Sequence, residues 1–269
     1  MRKGSIQPFL DFAHLLADMS AAKILPYFRK AIAIDNKATS GGFDPVTVAD
    51  TAAERAIRKA LRDRFPDHGI VGEEFAAVRS KGRYHWVIDP IDGTRAFITG
   101  SPLWGTLIGL MDGPSPLLGL MDQPFTGERF WSDGRQAHGR DPAGRVRRLR
   151  TRRCAGLAQA ILTSTHPDMF AAPAERTAFD RVKARARMTR YGGDCYGYCL
   201  LAAGCVDVVI EAGLKPHDVV ALVPIIDAAG GRISTWDGRP AVEGGRIIAA
   251  GDARVHAEAM ALLAGADRR

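Results

Sequence analysis

Apolar side chains recur at helical spacing in the N-terminal part of the chain. Between residues 7 and 30 they fall every three or four positions, at Phe9, Phe12, Ala13, Leu16 and Met19. A second stripe with this spacing follows the segment "DPVTVAD" and stops at "RFPD", where Pro66 cannot continue a helix. Because such spacing puts apolar side chains on one helix face, the pattern predicts two amphipathic helices.

Short apolar runs bounded by glycine, proline and aspartate come next. "GIVGEE" and "HWVID" each have the pattern of a buried strand that ends in acidic residues. Between Leu103 and Phe130 three more runs follow at hairpin spacing, "LWGTLIGLMDG", "PLLGLMDQP" and "ERFWSDG". A strand interior tolerates neither proline nor a buried aspartate well, so we expect the "HWVID" strand to end at Asp89. Asp89 and Asp92 would then lie on the loop at its mouth.

The C-terminal part alternates strands with helices. The predicted strands are "QAILTST", "DVVIEAG", "GGRISTWDG" and "GRIIAAGD". The predicted helices are residues 173–183, "DCYGYCLLAAG", "DVVALVPIIDAAGG" with a kink at Pro224, and "DARVHAEAMALLAG" with Asp252 as its N-cap. The pattern changes near residue 150, which predicts an N-terminal α+β half over residues 1–150 and an α/β half over residues 151–269. Helices and hairpin sheets together predict an α+β fold, a layered sandwich.

Composition fits a soluble enzyme. The 269 residues are 46% hydrophobic and 25% charged, and no apolar run approaches the ~20 residues of a membrane span. The N-terminus lacks the apolar core and cleavage site of a signal peptide, so we expect a cytoplasmic protein with no membrane contact. No cysteine pair has CxxC spacing, so we expect reduced, buried thiols at Cys154, Cys195, Cys199 and Cys205.

The formal charge of +7 owes much to the segment "RVRRLRTRR" at residues 145–153. A basic patch can bind nucleic acid, but this tract has no aromatic residue interleaved for base stacking. We therefore expect a solvated edge strand or loop and do not expect nucleic acid as a partner. A role in binding another protein stays open.

Four acidic residues share one context, the end of a strand or the start of a helix. They are Glu73, Asp89, Asp92 and Asp218. Hard oxygen ligands of this kind suit Mg²⁺, which also binds backbone carbonyls and substrate phosphate. Pro90 stiffens the turn and leaves the carbonyl of Ile91 free, while the N–H groups of Gly93 and Thr94 can form a nest for phosphate.

Each acid taken alone has a simpler explanation. Asp92-Gly93 is a common turn dipeptide, Asp218 can be a helix N-cap, and Glu73 can be a surface acid. Their joint occurrence favours a cation site.

Three motifs carry a resemblance to a known family. "GEE" at 72–74, "WVIDPIDGT" at 86–94 and "HDVVALVPIIDAAGG" at 217–231 resemble, in order, the signatures of the inositol monophosphatase superfamily. Within it, "DPIDGTRAFITGSPLWGTLIGL" and "RYGGDCYGYCLLAAGCVDVVIEAGLKP" resemble the histidinol-phosphate phosphatase branch. The resemblance implies an αβαβα sandwich, a small phosphate monoester as substrate and a homodimer.

The resemblance also implies a metal site with two or three Mg²⁺ ions, for which Mn²⁺ is a possible substitute. Glu73, Asp89 and the carbonyl of Ile91 would hold the first ion. Asp89, Asp92 and Asp218 would hold the second, and a looser third ion would lie near Glu73. Because Asp89 appears in two of these ligand sets, it is the expected bridge.

For the reaction, the resemblance pairs Thr94 with Asp50 to orient the attacking water. Asp50 has a simpler alternative as a first-turn helix acid. Lys37 falls on a loop expected to lie over the site.

For the substrate, the resemblance places the phosphate on the loop Ile91–Thr94, with Asp218 beside it. Arg190 and Glu211 match substrate contacts of the family. Asp194 offers a negative group to an ammonium, with a helix N-cap as its alternative. Histidinol phosphate is the expected substrate. Inositol phosphate, another sugar phosphate, a phosphorylated nucleotide, or a binding protein with a degenerate site are the alternatives.

Overall fold

A computed structural model describes residues 6–37 and 45–264 of the chain. The described residues form eight α-helices: α1 Gln7–Ile24, α2 Val48–Arg64, α3 Thr94–Ile98, α4 Pro173–Lys183, α5 Asp194–Ala202, α6 Pro216–Val219, α7 Leu222–Ala229 and α8 Ala253–Leu263. Short 3₁₀ helices cover Leu25–Tyr27, Leu157–Gln159, Pro167–Met169 and Ala241–Glu243. In this part of the chain no helix is long and apolar enough to cross a membrane.

Fourteen strands complete the described structure. They are β1 Ile34–Asn36, β2 Pro45–Thr47, β3 Gly69–Gly72, β4 Tyr84–Asp92, β5 Gly105–Asp112, β6 Ser115–Gln123, β7 Glu128–Ser132, β8 Ala137–Arg140, β9 Val146–Arg148, β10 Ile161–Ser164, β11 Met188–Tyr191, β12 Val208–Leu214, β13 Arg232–Thr235 and β14 Gly245–Ala250. One sheet has the order β3-β4-β5-β6-β7-β8-β9 and a second has the order β11-β10-β12-β14-β13. Strands β1 and β2 form a separate antiparallel pair.

Helices cover the faces of both sheets and also separate them. The apolar faces of α1 and α2 pack on the larger sheet through Leu10, Leu16, Ile57, Leu61, Trp86 and Ile108. Helices α5 and α7 fill the space between the sheets, where Tyr198, Leu201, Ile225 and Ile226 share one core cluster with Met121 of β6 and Ile247 of β14. Helices α4 and α8 cover the far face of the smaller sheet, where Phe179, Val255 and Ala259 share one core cluster with Leu162 of β10 and Val208 of β12. The layers run αβαβα, so the expected layered α+β fold is confirmed.

Two helix starts follow from side-chain capping. Thr47 caps α2 because its hydroxyl accepts the N–H of Ala49 at 3.2 Å, which satisfies a donor that the first turn leaves free. Asp252 caps α8 in the same way by accepting the N–H of Arg254 at 2.9 Å, as the sequence predicted.

Two predicted helices are shorter than expected. The first ends at Ile24, and Pro26 lies in the 3₁₀ turn that follows, so the predicted continuation to residue 30 is wrong. The predicted helix over residues 218–231 is divided into α6 and α7 at Val220 and Ala221. The ring of Pro224 would clash with the carbonyl of Val220, four residues earlier, so the proline breaks the helix there instead of kinking it.

Strand β4 does not end at Asp89, and this corrects the sequence prediction. It continues to Asp92, and Asp89 is 2% exposed. In the ladder with β5, Asp89 pairs with Leu107 and Asp92 pairs with Gly105, so β4 has one extra residue there. This bulge accommodates Pro90, which has no N–H for the ladder.

The remaining predictions agree with the structure in part. The arginine tract supplies β9, an edge strand, as expected. Strands β8 and β11 were not predicted because each is only four residues long and carries little apolar alternation.

All four cysteines are free, but Cys205 is exposed, which corrects the expectation that all are buried. The division into halves at residue 150 stays a prediction.

Candidate active site

Carboxylates from separate elements converge at the open end of β4. Asp89 and Asp92 lie on either side of the bulge, and Asp218 lies in α6. One oxygen from each of these three residues lies within 4.8 Å of the others. The sequence predicted that these acids share a site, and the structure brings them together.

The cluster is electrostatically unfavourable as an array of bare carboxylates. Burial, followed by the charges of Glu73, Asp92 and Asp218, raises the pKa of Asp89 well above its ordinary value. Burial, followed by Asp194 and Asp218, does the same to the pKa of Asp92. A bound cation would remove this repulsion, so the donor set fits a hard divalent ion.

A second group of metal-ligating atoms adjoins the first and includes a histidine. Oxygens of Glu73 and Asp89 and a ring nitrogen of His217 lie within 4.8 Å of one another. Sequence reasoning missed His217, although its position directly before Asp218 and its imidazole, a common metal ligand, were available signals. The atoms grouped there are therefore not all oxygens, whereas the four acids alone indicated oxygen ligands, and that oxygen ligand set stays a prediction.

The simpler explanations for two of the acids find limited support. Asp218 is not the N-cap of α6, but its Oδ2 accepts the N–H of the N-cap residue Lys215 at 2.7 Å. Glu73 is half-buried, and its Oε1 lies 2.7 Å from Nζ of Lys37. Neither residue is a free surface acid.

Lys37 reaches the site, as the family resemblance suggested. Its Nζ also donates to Oε1 of Glu74 at 2.6 Å. Burial opposes the ionisation of Glu73, but the hydrogen bond and the charge of Lys37 outweigh it and lower the pKa of Glu73. The rest of the loop expected over the site, residues 38–44, lies outside the described residues.

The turn after β4 is held by local hydrogen bonds. The N–H of Ile91 donates to Oδ1 of Asp89 at 3.0 Å, and the hydroxyl of Thr94 donates to the carbonyl of Ile91 at 3.0 Å. Gly93 has φ +87°, a left-handed conformation that glycine adopts without strain. Asp92 accepts the N–H of Cys195 at 2.6 Å, which ties the turn to the start of α5. The Ile91 carbonyl keeps a second lone pair for a metal.

Asp50 is fully buried in the first turn of α2. Its Oδ2 accepts the N–H and the hydroxyl of Thr47, at 2.8 and 2.6 Å, which supports the alternative role at the helix start. The structure does not show the predicted pairing with Thr94, whose hydroxyl donates to Ile91 instead. Oδ1 of Asp50 has no partner among the described residues, and burial raises the pKa of Asp50 to about 6.

A buried ion pair fixes the segment that presents Glu73, and sequence reasoning missed it. Nε of Arg58 donates to Oε1 of Glu54 at 2.6 Å, four residues earlier on α2. Oε2 of Glu54 accepts the N–H of Glu74 at 2.7 Å, and Arg58 donates to the carbonyl of Phe75 at 2.7 Å. Both partners therefore clamp the backbone directly after Glu73.

Two cavities adjoin the acid cluster. The wider one has a volume of about 650 Å³ and is lined by Glu73, Gly93, Thr94, Asp194, His217 and Asp218 among others. The smaller one, about 100 Å³, is lined by Asp92, Thr165, Asp194, Tyr198, Glu211 and Asp218 among others. Asp194 and Asp218 line both cavities, so the acid cluster opens into a pocket with a narrow inner end.

Glu211 lies at the inner end, where the sequence placed a substrate contact. It is 3% exposed, and its Oε1 accepts the N–H and the hydroxyl of Thr165, at 2.9 and 2.6 Å. Its Oε2 accepts the hydroxyl of Tyr198 at 3.0 Å. Burial raises the pKa of Glu211 to about 7 against the hydrogen bonds from Thr165.

Asp194 is not a helix N-cap, so the alternative role considered for it is wrong. Gly193 occupies that position, and Asp194 is the first residue of α5, with φ +45°. Burial raises the pKa of Asp194 to about 6, while the N–H of Gly193 and the charge of Arg95 act in the opposite direction. A Cβ placed on Gly93 would lie 3.1 Å from Cγ of Asp194, so this acid borders the turn that follows β4.

Arg190 is the predicted contact that the structure does not bring to the site. It lies on the edge strand β11 and is exposed. It lines neither cavity as the described residues form them. Its predicted contact with substrate stays a prediction.

Comparison with known proteins assigns the chain to a protein family. The sequence matches the inositol monophosphatase family over residues 5–267, and the chain belongs to this family. The chain is thus a phosphatase of the family whose motifs it resembles, which confirms that resemblance. Because its acids converge, the structure gives no support to the alternative of a degenerate site.

Two related proteins and one solved structure are similar to this chain over most of its length. The chain is 41% identical over 269 residues to bifunctional phosphatase IMPL2, chloroplastic, of Arabidopsis thaliana, covering 95% of this chain and 75% of that protein. It is 32% identical over 249 residues to a histidinol-phosphatase of Chlorobaculum parvum, covering 91% and 93%. The solved structure of an inositol monophosphatase from Zymomonas mobilis superposes with a TM-score of 0.85 at 40% identity, covering 97% and 99%.

Proposed function

We propose that the chain is a Mg²⁺-dependent phosphate monoester hydrolase that acts on histidinol phosphate. The convergence of Asp89, Asp92 and Asp218 carries the proposal, because three buried or half-buried carboxylates within 4.8 Å of one another repel as bare charges and a bound cation would relieve that repulsion. Bound ions would neutralise the phosphate, lower the pKa of a water and stabilise the leaving alkoxide.

Asp89 belongs to both groups of candidate ligands, so we assign it the bridging position between two ions. We assign Glu73 to one ion, Asp92 and Asp218 to the other, and the carbonyl of Ile91 to the first. A carboxylate shared by both groups would hold two ions close together beside the phosphate.

The turn Ile91–Thr94 lies beside the acids, and the backbone N–H groups of Gly93 and Thr94 would supply donors for phosphate oxygens, since the N–H of Ile91 is engaged by Asp89. For orienting the attacking water we retain Asp50 and Thr94. The buried, unpartnered Oδ1 of Asp50 is an acceptor, although Thr94 would have to turn its hydroxyl away from Ile91.

The charge of the pocket supports histidinol phosphate. This substrate carries an ammonium group, and two acids, Asp194 and Glu211, line the inner cavity beside the acid cluster. A relative that is 32% identical is named a histidinol-phosphatase. Inositol phosphate is the second candidate, because a structure at 40% identity is described as an inositol monophosphatase. Assembly as a homodimer and location in the cytoplasm stay predictions.

A substrate panel tests the proposal. With Mg²⁺ present, we expect kcat/KM for histidinol phosphate to exceed that for inositol phosphate and for a sugar phosphate by roughly 10- to 150-fold. This range corresponds to the ~1.5–3 kcal/mol of a hydrogen bond to a charged group. Phosphate release is the measurement. A higher value for inositol phosphate would favour the second candidate, and an unchanged rate in excess chelator would contradict the metal dependence.

The arginine tract should be dispensable for catalysis on a small substrate. Arg147, Arg148 and Arg150 are exposed on or beside β9, and none lines either cavity. We expect their joint replacement by Gln to leave kcat within about threefold, because exposed charges outside the cavities are screened by salt. Kinetics at two salt concentrations check this. A large rise in KM at low salt would show instead that the tract steers the phosphate.

A further inference from the structure

His217 is a buried imidazole placed between the two groups of acids. It is 9% exposed, and one ring nitrogen lies within 4.8 Å of oxygens of both Glu73 and Asp89. Its Nε2 lies 3.4 Å from Oδ1 of Asp218, which belongs to the other group. Sequence motifs do not assign it a role, yet its ring nitrogen lies within 4.8 Å of Asp89, the bound that also holds for the neighbouring carboxylate oxygens.

The donor atoms of the two groups differ in chemistry. Asp89, Asp92 and Asp218 offer oxygen only, which suits Mg²⁺. The group of Glu73, Asp89 and His217 offers two oxygens and one nitrogen. Imidazole nitrogen is a poor ligand for Mg²⁺ and a good one for transition metals, and Mn²⁺ accepts both donor types. The two positions therefore differ in which ion they favour.

We propose that His217 is a direct ligand of the ion held by Glu73 and Asp89, and that this position favours Mn²⁺ or another transition metal over Mg²⁺. This inference rests on the proposed function, because it needs a metal at the same site. The competing role for His217 is that of a protonated counter-ion, since its charge would also stabilise the carboxylate of Glu73. As a counter-ion, His217 would carry a proton on the ring nitrogen that faces the acids. As a metal ligand, it must leave that nitrogen unprotonated.

Pulsed electron paramagnetic resonance of bound Mn²⁺ separates these roles. A directly bound imidazole nitrogen modulates the Mn²⁺ echo, and labelling the protein with ¹⁵N-histidine shifts the modulation frequencies. We expect the modulation in the wild type and its loss in His217→Phe and His217→Gln. His166→Gln is the matched control, because His166 lines the wider cavity but belongs to neither group of ligating atoms. The echo modulation should persist in His166→Gln.

Metal affinity gives a second readout. Loss of an outer-shell partner already costs about 10- to 100-fold in metal affinity, so we expect His217→Phe to weaken Mn²⁺ binding at least about tenfold. The affinity for Mg²⁺ should change by a smaller factor, because oxygen ligands dominate its binding. Titration calorimetry measures both.

Two results would overturn the inference. One is a Mn²⁺-loaded wild-type protein without nitrogen modulation, and the other is a folded His217 variant that keeps it. The isotope experiment on the wild type needs no variant, so a folding failure of His217→Phe does not block the test. Phosphate release with Mg²⁺ but without a nitrogen signal would refute the ligand role alone and leave the proposed hydrolase intact.

Discussion

Replacing Asp89 by Asn is expected to lower kcat at least ~10³-fold, because one residue serves both groups of metal-ligating atoms. Asn keeps the shape and one neutral oxygen, but it loses the charge that attracts a cation on each side. The measurement is phosphate release under saturating substrate and Mg²⁺. A variant that retains more than about a tenth of the wild-type rate, under ~1.4 kcal/mol of barrier, would show that Asp89 does not bridge catalytic ions.

The same variant should fold as well as the wild type, although Asp89 does not lie on the loop that the sequence predicted for it. Asp89 is buried in β4 and does not lie on a loop. An Asn oxygen can still accept the N–H of Ile91, which now donates to Oδ1 at 3.0 Å. The substitution also removes one charge from a cluster in which neighbouring acids raise the pKa of Asp89. In the absence of metal, we therefore expect an unchanged or higher Tm.

Asp122→Asn is the matched control, since Asp122 is also a buried strand aspartate. It is 1% exposed, but Arg129 neutralises it at 2.6 Å and it lies outside the acid cluster. Removing one partner of a buried ion pair destabilises a protein, so Tm should fall while kcat of the folded enzyme stays near the wild type. Asp89→Asn and Asp122→Asn should thus show opposite patterns of activity and stability.

The sequence predicted the acid site better than it predicted the surroundings of the acids. Glu73, Asp89, Asp92 and Asp218 stood out because the pattern predicted each at the end of a strand or the start of a helix, and such ends meet at one edge of a layered fold. The αβαβα layers followed from the family resemblance of these motifs. Local patterns and order along the chain were sufficient for these conclusions.

Contacts between distant segments explain most of the failures. The clamp of Glu54 and Arg58 on the backbone of residues 74–76 has no local sequence signal, because an acid and an arginine four residues apart also suit an exposed helix face. The bulge in β4 depends on pairing with β5, which the position of Pro90 alone does not reveal. Sequence spacing predicts periodicity along an element but not the partner of a buried polar group.

Asp50 shows how one residue can fit two explanations. The sequence allowed a helix-start acid or a group that orients water, and the structure shows one oxygen in the first role and leaves the second oxygen without a partner among the described residues. Oδ2 is engaged by Thr47, whereas Oδ1 is buried without a partner among the described residues. A motif identifies the residue, but only the folded structure shows which of its two oxygens is hydrogen-bonded and which is not.

Asp194→Asn is expected to lower kcat/KM for histidinol phosphate by ~30- to 1000-fold, which corresponds to ~2–4 kcal/mol of lost charge pairing in the transition state. The substrate's ammonium would lose a partner that lines both cavities. For an uncharged monoester such as a sugar phosphate, we expect little loss. The ratio of the two kcat/KM values, measured for both proteins at the same Mg²⁺ and salt, is the readout.

Asn is a suitable replacement because the backbone at Asp194 is left-handed, with φ +45°. Asn tolerates this conformation about as well as Asp, so the start of α5 should keep its geometry. Asp168→Asn is the matched control. Asp168 lies on the 3₁₀ helix Pro167–Met169, beside the cavity-lining Met169, but its side chain is 80% exposed. Its removal changes the net charge by the same amount and should leave the substrate ratio unchanged.

The substrate ratio separates recognition of an ammonium from a structural role of Asp194. Arg95 also acts on this carboxylate, so Asp194 can hold the turn beside Gly93 through that charge alone. A purely structural role predicts that both substrates lose activity by the same factor, because both would place their phosphate on this turn in the proposed binding mode. Such an equal loss, or no loss at all, would remove Asp194 from substrate choice. Glu211 would then be the remaining acid at the inner cavity, and the preference for histidinol phosphate over inositol phosphate would lose its main chemical support.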